Sequence, residues 1–194
     1  MTGAAMTVAD DGSREPWGEE RRGPYPIGLG VVLVTVAMLF SAFTAALLVR
    51  RTGADWTPLP LPPILWVNTV VLLISSGAVE AARLRQGRAG TDTWLGVALG
   101  LGALFLLGQL AAWRSFVQQG VLLRTGPHPA FFYLLSGVHG AHILGGIGVL
   151  GWTLHRARRG AYGPTRHTGL THAAIYWHFM GAVWLWLLAV LAVL

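Results

Sequence analysis

The chain contains no cysteine. That excludes disulfides, iron–sulfur clusters, thiolate copper sites and cysteine nucleophiles. Lysine is absent too, so all 14 basic residues are arginine. Carboxylates number only eight, and Asp10, Asp11, Glu15, Glu19 and Glu20 fall in the first 26 residues. What remains is too sparse for a carboxylate metal site or a paired acid–base centre. Charged residues make up 11% of the chain, against about a quarter in soluble domains. There is no glycine-rich phosphate loop and no basic stripe interleaved with aromatics, so no nucleic-acid partner is expected.

What is present is apolar: 54% of residues are hydrophobic and the mean hydropathy is +0.55. A membrane span needs about 20 mainly apolar residues. Five stretches qualify, at roughly 27–49, 63–82, 94–117, 129–154 and 171–194. The expected fold is therefore an all-α integral membrane protein, a bundle of five transmembrane helices. "TPLPLPP" (57–63), "RTGPHPA" (124–130) and "RRGAYGPTRHTG" (158–169) break the helical pattern between spans. Residues 1–26 have no apolar centre, so they read as a polar cytoplasmic tail rather than a signal peptide. The first span is expected to be retained as a helix.

Arginine placement sets orientation. Arg14, Arg21, Arg22, Arg83, Arg85, Arg88, Arg156, Arg158, Arg159 and Arg166 would share one side of the membrane; only Arg50, Arg51, Arg114 and Arg124 would lie on the other. This predicts an N-terminus inside and a C-terminus outside. Trp56, Trp66, Trp94, Trp113 and Trp152 lie near span ends, where an aromatic belt belongs. Gly96 and Gly100, and the Gly137–Ala141–Gly145 ladder, would let helices approach closely.

Few ionisable groups fall inside the spans, and such groups usually have a role. Glu80 is the only carboxylate among them, one turn from Arg83. The pair suits an interfacial ion pair, or a lipid-headgroup or proton contact. His139 and His142, three apart in "GVHGAHILGG", share a helix face. At 1.5 Å per residue His142 would lie about 18 Å, and His178 about 10 Å, from the same membrane edge. The offset weighs against His178 facing either residue across a metal or haem. The residues alone favour polar contacts between helices over cofactor ligation.

Four segments carry a family resemblance. "YWHFMGAVWLWLL" (176–188), "GVHGAHILGG" (137–146), "LWVNTVVLLISSG" (65–77) and "LGALFLLGQLAAW" (101–113) resemble, in order, signatures of subunit III of haem–copper oxidases. The resemblance covers about 27–194 and implies the five-helix form of that subunit, with its N-terminus in the cytoplasm of a bacterial plasma membrane. It implies a non-redox core subunit of a proton-pumping terminal oxidase that packs against subunit I, belongs with subunit II, holds phospholipids and supports proton uptake. Haems and copper would sit on the partners, with no catalytic, cofactor or metal site on this chain. His139, His142, Tyr176, Trp177, His178 and Trp184 would be structural contacts between helices, and Glu80 and Arg83 a lipid or proton contact. Carboxylates common in the family are replaced by Val36, Ala112, Thr171 and Gly181. That turns the expectation toward scaffolding and lipid binding. The alternatives are an accessory protein of a nitric oxide reductase, or a stand-alone cytochrome b using His139 or His142 with His172 or His178.

Overall fold

The structure, a computed structural model, describes residues 25–57, 60–159 and 168–193. The tail expected over 1–26, apart from the start of the first helix, lies outside the described residues; so does Arg166 of the arginine count. The described chain forms five α-helices: α1 (Tyr25–Arg51), α2 (Ile64–Leu84), α3 (Thr91–Gln118), α4 (Pro127–Arg158) and α5 (Thr168–Val193). The shortest, α2 with 21 residues, is about 30 Å long at 1.5 Å per residue, enough to cross a hydrocarbon core. All five are long and apolar enough to do so.

Helices α2, α3, α4 and α5 pack as a ring, each touching its neighbours, and α5 closes the ring on α2. Helix α1 lies outside that ring against α4 and α5. The core is built from one stripe per helix. On α5 the stripe runs Leu170, Ala173, Ala174, Trp177, Met180, Trp184, Leu187, Leu188 and Leu191, the three- and four-residue spacing of a single helix face.

The α2–α3 and α3–α4 connections are short and tied down. Thr91 Oγ1 donates to the Arg85 and Arg88 carbonyls at 2.6 and 3.0 Å, closing the α2–α3 turn. After α3, Gly120 adopts φ +75°, which a side chain would disfavour. The Val121 amide then reaches the Phe116 carbonyl at 2.9 Å and the Gly120 amide the Val117 carbonyl at 3.0 Å, a Schellman ending. Tyr133 of α4 donates to the Val121 carbonyl at 2.8 Å and fixes that turn to the bundle. Pro127 and Pro129 occupy the first turn of α4, where a missing N–H costs nothing.

At the end of α1, Arg50 of its last turn and Asp55 just beyond it form a two-pronged ion pair, one arm of which is 2.8 Å. The hydrogen bond from Arg50 is the main cause holding the Asp55 carboxyl below its usual range. A lowered folded pKa means the pair's contribution is present above the unfolded value and is lost as pH falls through the folded one. Both side chains are largely exposed, so the contribution is small. Asp55→Asn should leave the melting temperature at pH 7 nearly unchanged. It should also blunt the small extra loss that the parent shows on acidification below the normal aspartate range.

Candidate functional site

In hydrocarbon a polar side chain must find its partner within the protein, so the buried polar groups show what the spans are built to do. The central layer takes one side chain from every helix. Trp184 of α5 is buried and donates from Nε1 to Thr69 Oγ1 of α2 at 3.0 Å. Thr69 in turn donates to the Leu65 carbonyl at 2.8 Å. Phe105 of α3 meets Trp184 edge-on at 5.1 Å between ring centres. His139 of α4 stacks on Trp184 at 5.2 Å and meets Phe105 at 6.0 Å. Phe40 of α1 touches the same imidazole at 6.2 Å. Such aromatic pairs add about 0.5–1.5 kcal/mol each beyond area.

His139 therefore differs from its sequence expectation in kind. It does join helices, but through ring faces: both ring nitrogens are buried and make no hydrogen bond. His142 likewise joins helices through its ring, which meets Phe40 of α1 at 5.8 Å, while its Nδ1 lies 2.8 Å from the Val138 carbonyl of its own helix. The polar link between α4 and α5 at this position comes from Tyr176, whose hydroxyl donates to the His142 carbonyl at 3.0 Å.

A second polar group lies on the α2–α5 seam. His178 Nδ1 is 2.5 Å from Ser76 Oγ, and its Nε2 is 3.4 Å from Glu80 Oε2. Glu80 also accepts from Arg83 Nε and Nη2 at 2.9 and 2.5 Å. Both sides of the His178 ring are thus engaged with α2, away from His139. Glu80, Arg83 and His178 keep 35–40% of their side-chain surface exposed. Among the described residues, no group of three or more His, Cys, Asp or Glu side chains gathers as a metal site would require.

Trp177 works by shape. Its ring lies over two glycines: a Cβ on Gly102 of α3 would stand 2.7 Å from Trp177 Cη2, and one on Gly146 of α4 would stand 3.1 Å from Trp177 and Tyr176. The small residues make a slot for one indole between three helices.

Other polar joints escaped the sequence reading. Asn68 donates to the Phe105 carbonyl at 3.1 Å, with its amide against Gly108. Ser75 donates to the Ala98 carbonyl at 2.9 Å. Trp113 donates to Ser136 Oγ at 3.0 Å, and Trp186 to Thr44 Oγ1 at 3.3 Å. The signal was available, since any hydroxyl or amide in a span needs a partner, but titratable residues drew attention first. Val36 and Ala112, two of the expected carboxylate positions, are 4% and 0% exposed in the packed interior.

The profile of the cytochrome c oxidase subunit III family matches residues 27–193, nearly all of the described bundle. The chain belongs to the cytochrome c oxidase subunit III family. Cytochrome c oxidase subunit 3 of Thermostichus vulcanus is 33% identical over 176 residues, covering 87% of this chain and 86% of that one. Its counterpart from a Synechocystis strain is also 33% identical, over 80% of this chain and 70% of its own length. A probable cytochrome c oxidase subunit 3 of Mycobacterium bovis is 28% identical over 85% of this chain and 83% of its own. The chain is accordingly a subunit III of haem–copper oxidase type and an integral membrane protein. The layer uniting all five helices and the Trp177 slot are the interior of a subunit III, and the Glu80–Arg83–His178–Ser76 group is a partly exposed seam of it.

Proposed function

We propose that this chain is the non-redox supporting subunit of a proton-pumping terminal oxidase in a bacterial plasma membrane. It packs against the catalytic subunit I, in a complex that includes subunit II, while haems and copper reside on those partners. The observation that carries the reading is how the interior polar side chains are spent. Trp184, Tyr176 and Asn68 tie helix to helix, and His178 is engaged with Ser76 and Glu80. His139, His142, Tyr176, Trp177, His178 and Trp184 act as braces. The partly exposed Glu80 and Arg83 offer an ammonium-binding and a phosphate-binding group side by side, suited to a phospholipid headgroup or a proton contact near the catalytic subunit. The excess of arginine on one side supports an N-terminus in the cytoplasm and a C-terminus outside.

The test is purification of the tagged chain in mild detergent, with partner identification by mass and an optical spectrum. A large haem-bearing subunit should co-purify, and the haem signal should stay with that subunit after separation. A chain that purifies alone with its own haem would make the histidines ligands and overturn the reading. A reporter fused to the C-terminus should be active only outside the cytoplasm.

A further inference from the structure

Charge is segregated along this chain. The stretch "DDGSREPWGEE" (10–20) sets five carboxylates against one arginine. The bundle end beside it carries the opposite sign. Ala46 and Val49 of α1 share a hollow with Pro127 and Phe131 of α4, so the two helices run in opposite directions. Phe40 of α1 meets His139 and His142 of α4. Tyr25, where α1 begins, lies fifteen residues before Phe40, and Ala157 lies fifteen after His142; each run is about 22 Å of helix. The tail therefore leaves the bundle level with Ala157. A hollow of about 340 Å³ opens there, lined by residues 87–92 of the α2–α3 turn and by Ala157 and Arg158 of α4. Arg88 and Arg158 are exposed, and among the described residues neither has an ion-pair partner. Glu80 is already held by Arg83, which leaves Asp92 as the one uncommitted carboxylate described at this end. The lining has no apolar side chain larger than Ala89 and Ala157, so an acyl chain has nothing to lie against.

We propose that the acidic stretch 10–20 of the chain's own tail docks on this hollow, its carboxylates pairing with Arg88 and Arg158. A carboxylate matches the arginine fork with two parallel hydrogen bonds. The reach suffices: ten residues from Tyr25 back to Glu15 span at most about 35 Å, and passing α4 takes about 10–12 Å. Tethering gives the stretch an effective concentration of millimolar order, which a soluble anion must reach on its own. The docked tail has a structural consequence. Helix α1 touches α4 and α5 but neither α2 nor α3, and the tail would tie its start to the α2–α3 turn. It would also close Arg88 and Arg158 to phosphate groups.

The test uses the absence of lysine. Arg158→Lys keeps the charge and supplies a single side-chain amine. A water-soluble carbodiimide then joins that amine to any carboxylate in direct contact. Coupling is done on the full chain in native membranes before extraction, and the bond is mapped by mass in the tagged chain. The amine should join a carboxylate within 10–20. Adding Arg88→Gln should lower the yield several-fold with the amount of chain in the membrane unchanged. Raising salt from about 50 mM to about 500 mM shortens the screening length from about 14 to about 4 Å and should lower it too. Arg51→Lys, at the other end of α1, should give no tail product. Coupling to Asp92 alone would overturn the docking. So would coupling to another protein, which would then be the occupant, or a yield indifferent to Arg88→Gln or to salt. No tail product, with the amine freely acylated by a soluble reagent, would show the hollow open and overturn it as well.

Discussion

Trp184→Ala should destabilise the isolated bundle by about 3 kcal/mol, with Trp184→Phe costing about 1 kcal/mol. Trp184 is where α2, α3, α4 and α5 meet: it hydrogen-bonds Thr69, abuts Phe105 edge-on and supports the His139 ring. Large-to-small changes of a buried tryptophan in water-soluble cores cost about 3–5 kcal/mol, combining lost transfer energy with the cavity left behind. In a membrane the transfer part shrinks, because a separated helix is already in apolar surroundings. The cavity and the lost packing remain, so the lower end of that range applies. Thr69 keeps its bond to the Leu65 carbonyl, so little is added for an orphaned hydroxyl. Phenylalanine restores most of the ring contacts and gives up the hydrogen bond, worth about 0.6 kcal/mol between membrane helices. Denaturant titration of the purified chain in mixed micelles measures both. Equal losses for the two variants would show that the hydrogen bond, not the ring, holds the layer. No loss for alanine would remove Trp184 from the centre of the fold.

How much of this was open to reading in the sequence follows from what a bilayer hides. The five helices were legible because length and apolarity suffice to mark a span, and the proline-bearing stretches 57–63 and 124–130 sit where the chain must leave the helical pattern. The interior faces were not legible from hydrophobicity. On α5 the outward residues Ile175, Leu185 and Trp186 are as apolar as the inward Met180, Leu187 and Trp184, because the outside is lipid. The inner face is marked instead by small and hydrogen-bonding residues; His178 stood out as an ionisable group inside a span, and Trp184 only through the family resemblance. Their partners could not be, since Ser76 and Thr69 lie about a hundred residues away in sequence and only the helix order in the ring brings them near. His139 shows the opposite failure. A histidine in a span invites a polar role, yet this one is held among Phe40, Phe105 and Trp184 as a flat ring. Glu80 and Arg83 were legible as a pair from their spacing; the reach of His178 onto Glu80 was not, because the estimated depth of His178 said nothing about which helix it would face.

The Trp177 slot makes a prediction with a distinctive signature. Gly102→Val should destabilise the bundle by about 2–3 kcal/mol, in the range of an overpacked core. Its new Cβ would stand 2.7 and 2.9 Å from the Trp177 ring, and the indole has no flexible end with which to give way. Gly146→Val should act the same way more weakly, its nearest approach being 3.1 Å. Trp177→Ala alone should cost about 3 kcal/mol through the cavity. The double variant Gly102→Val, Trp177→Ala should cost less than the sum of its parts by about 1–2 kcal/mol, since each change relieves what the other creates; contacting residues couple by that order. The single changes cannot separate a tight slot from a general weakness of glycine-poor helices, but the cycle can. If the two costs simply add, the glycine at 102 does not serve to admit the indole, and the spacing of α3 and α5 across the ring must rest on other contacts. If they compensate, this ring is the wedge that sets the distances among α3, α4 and α5.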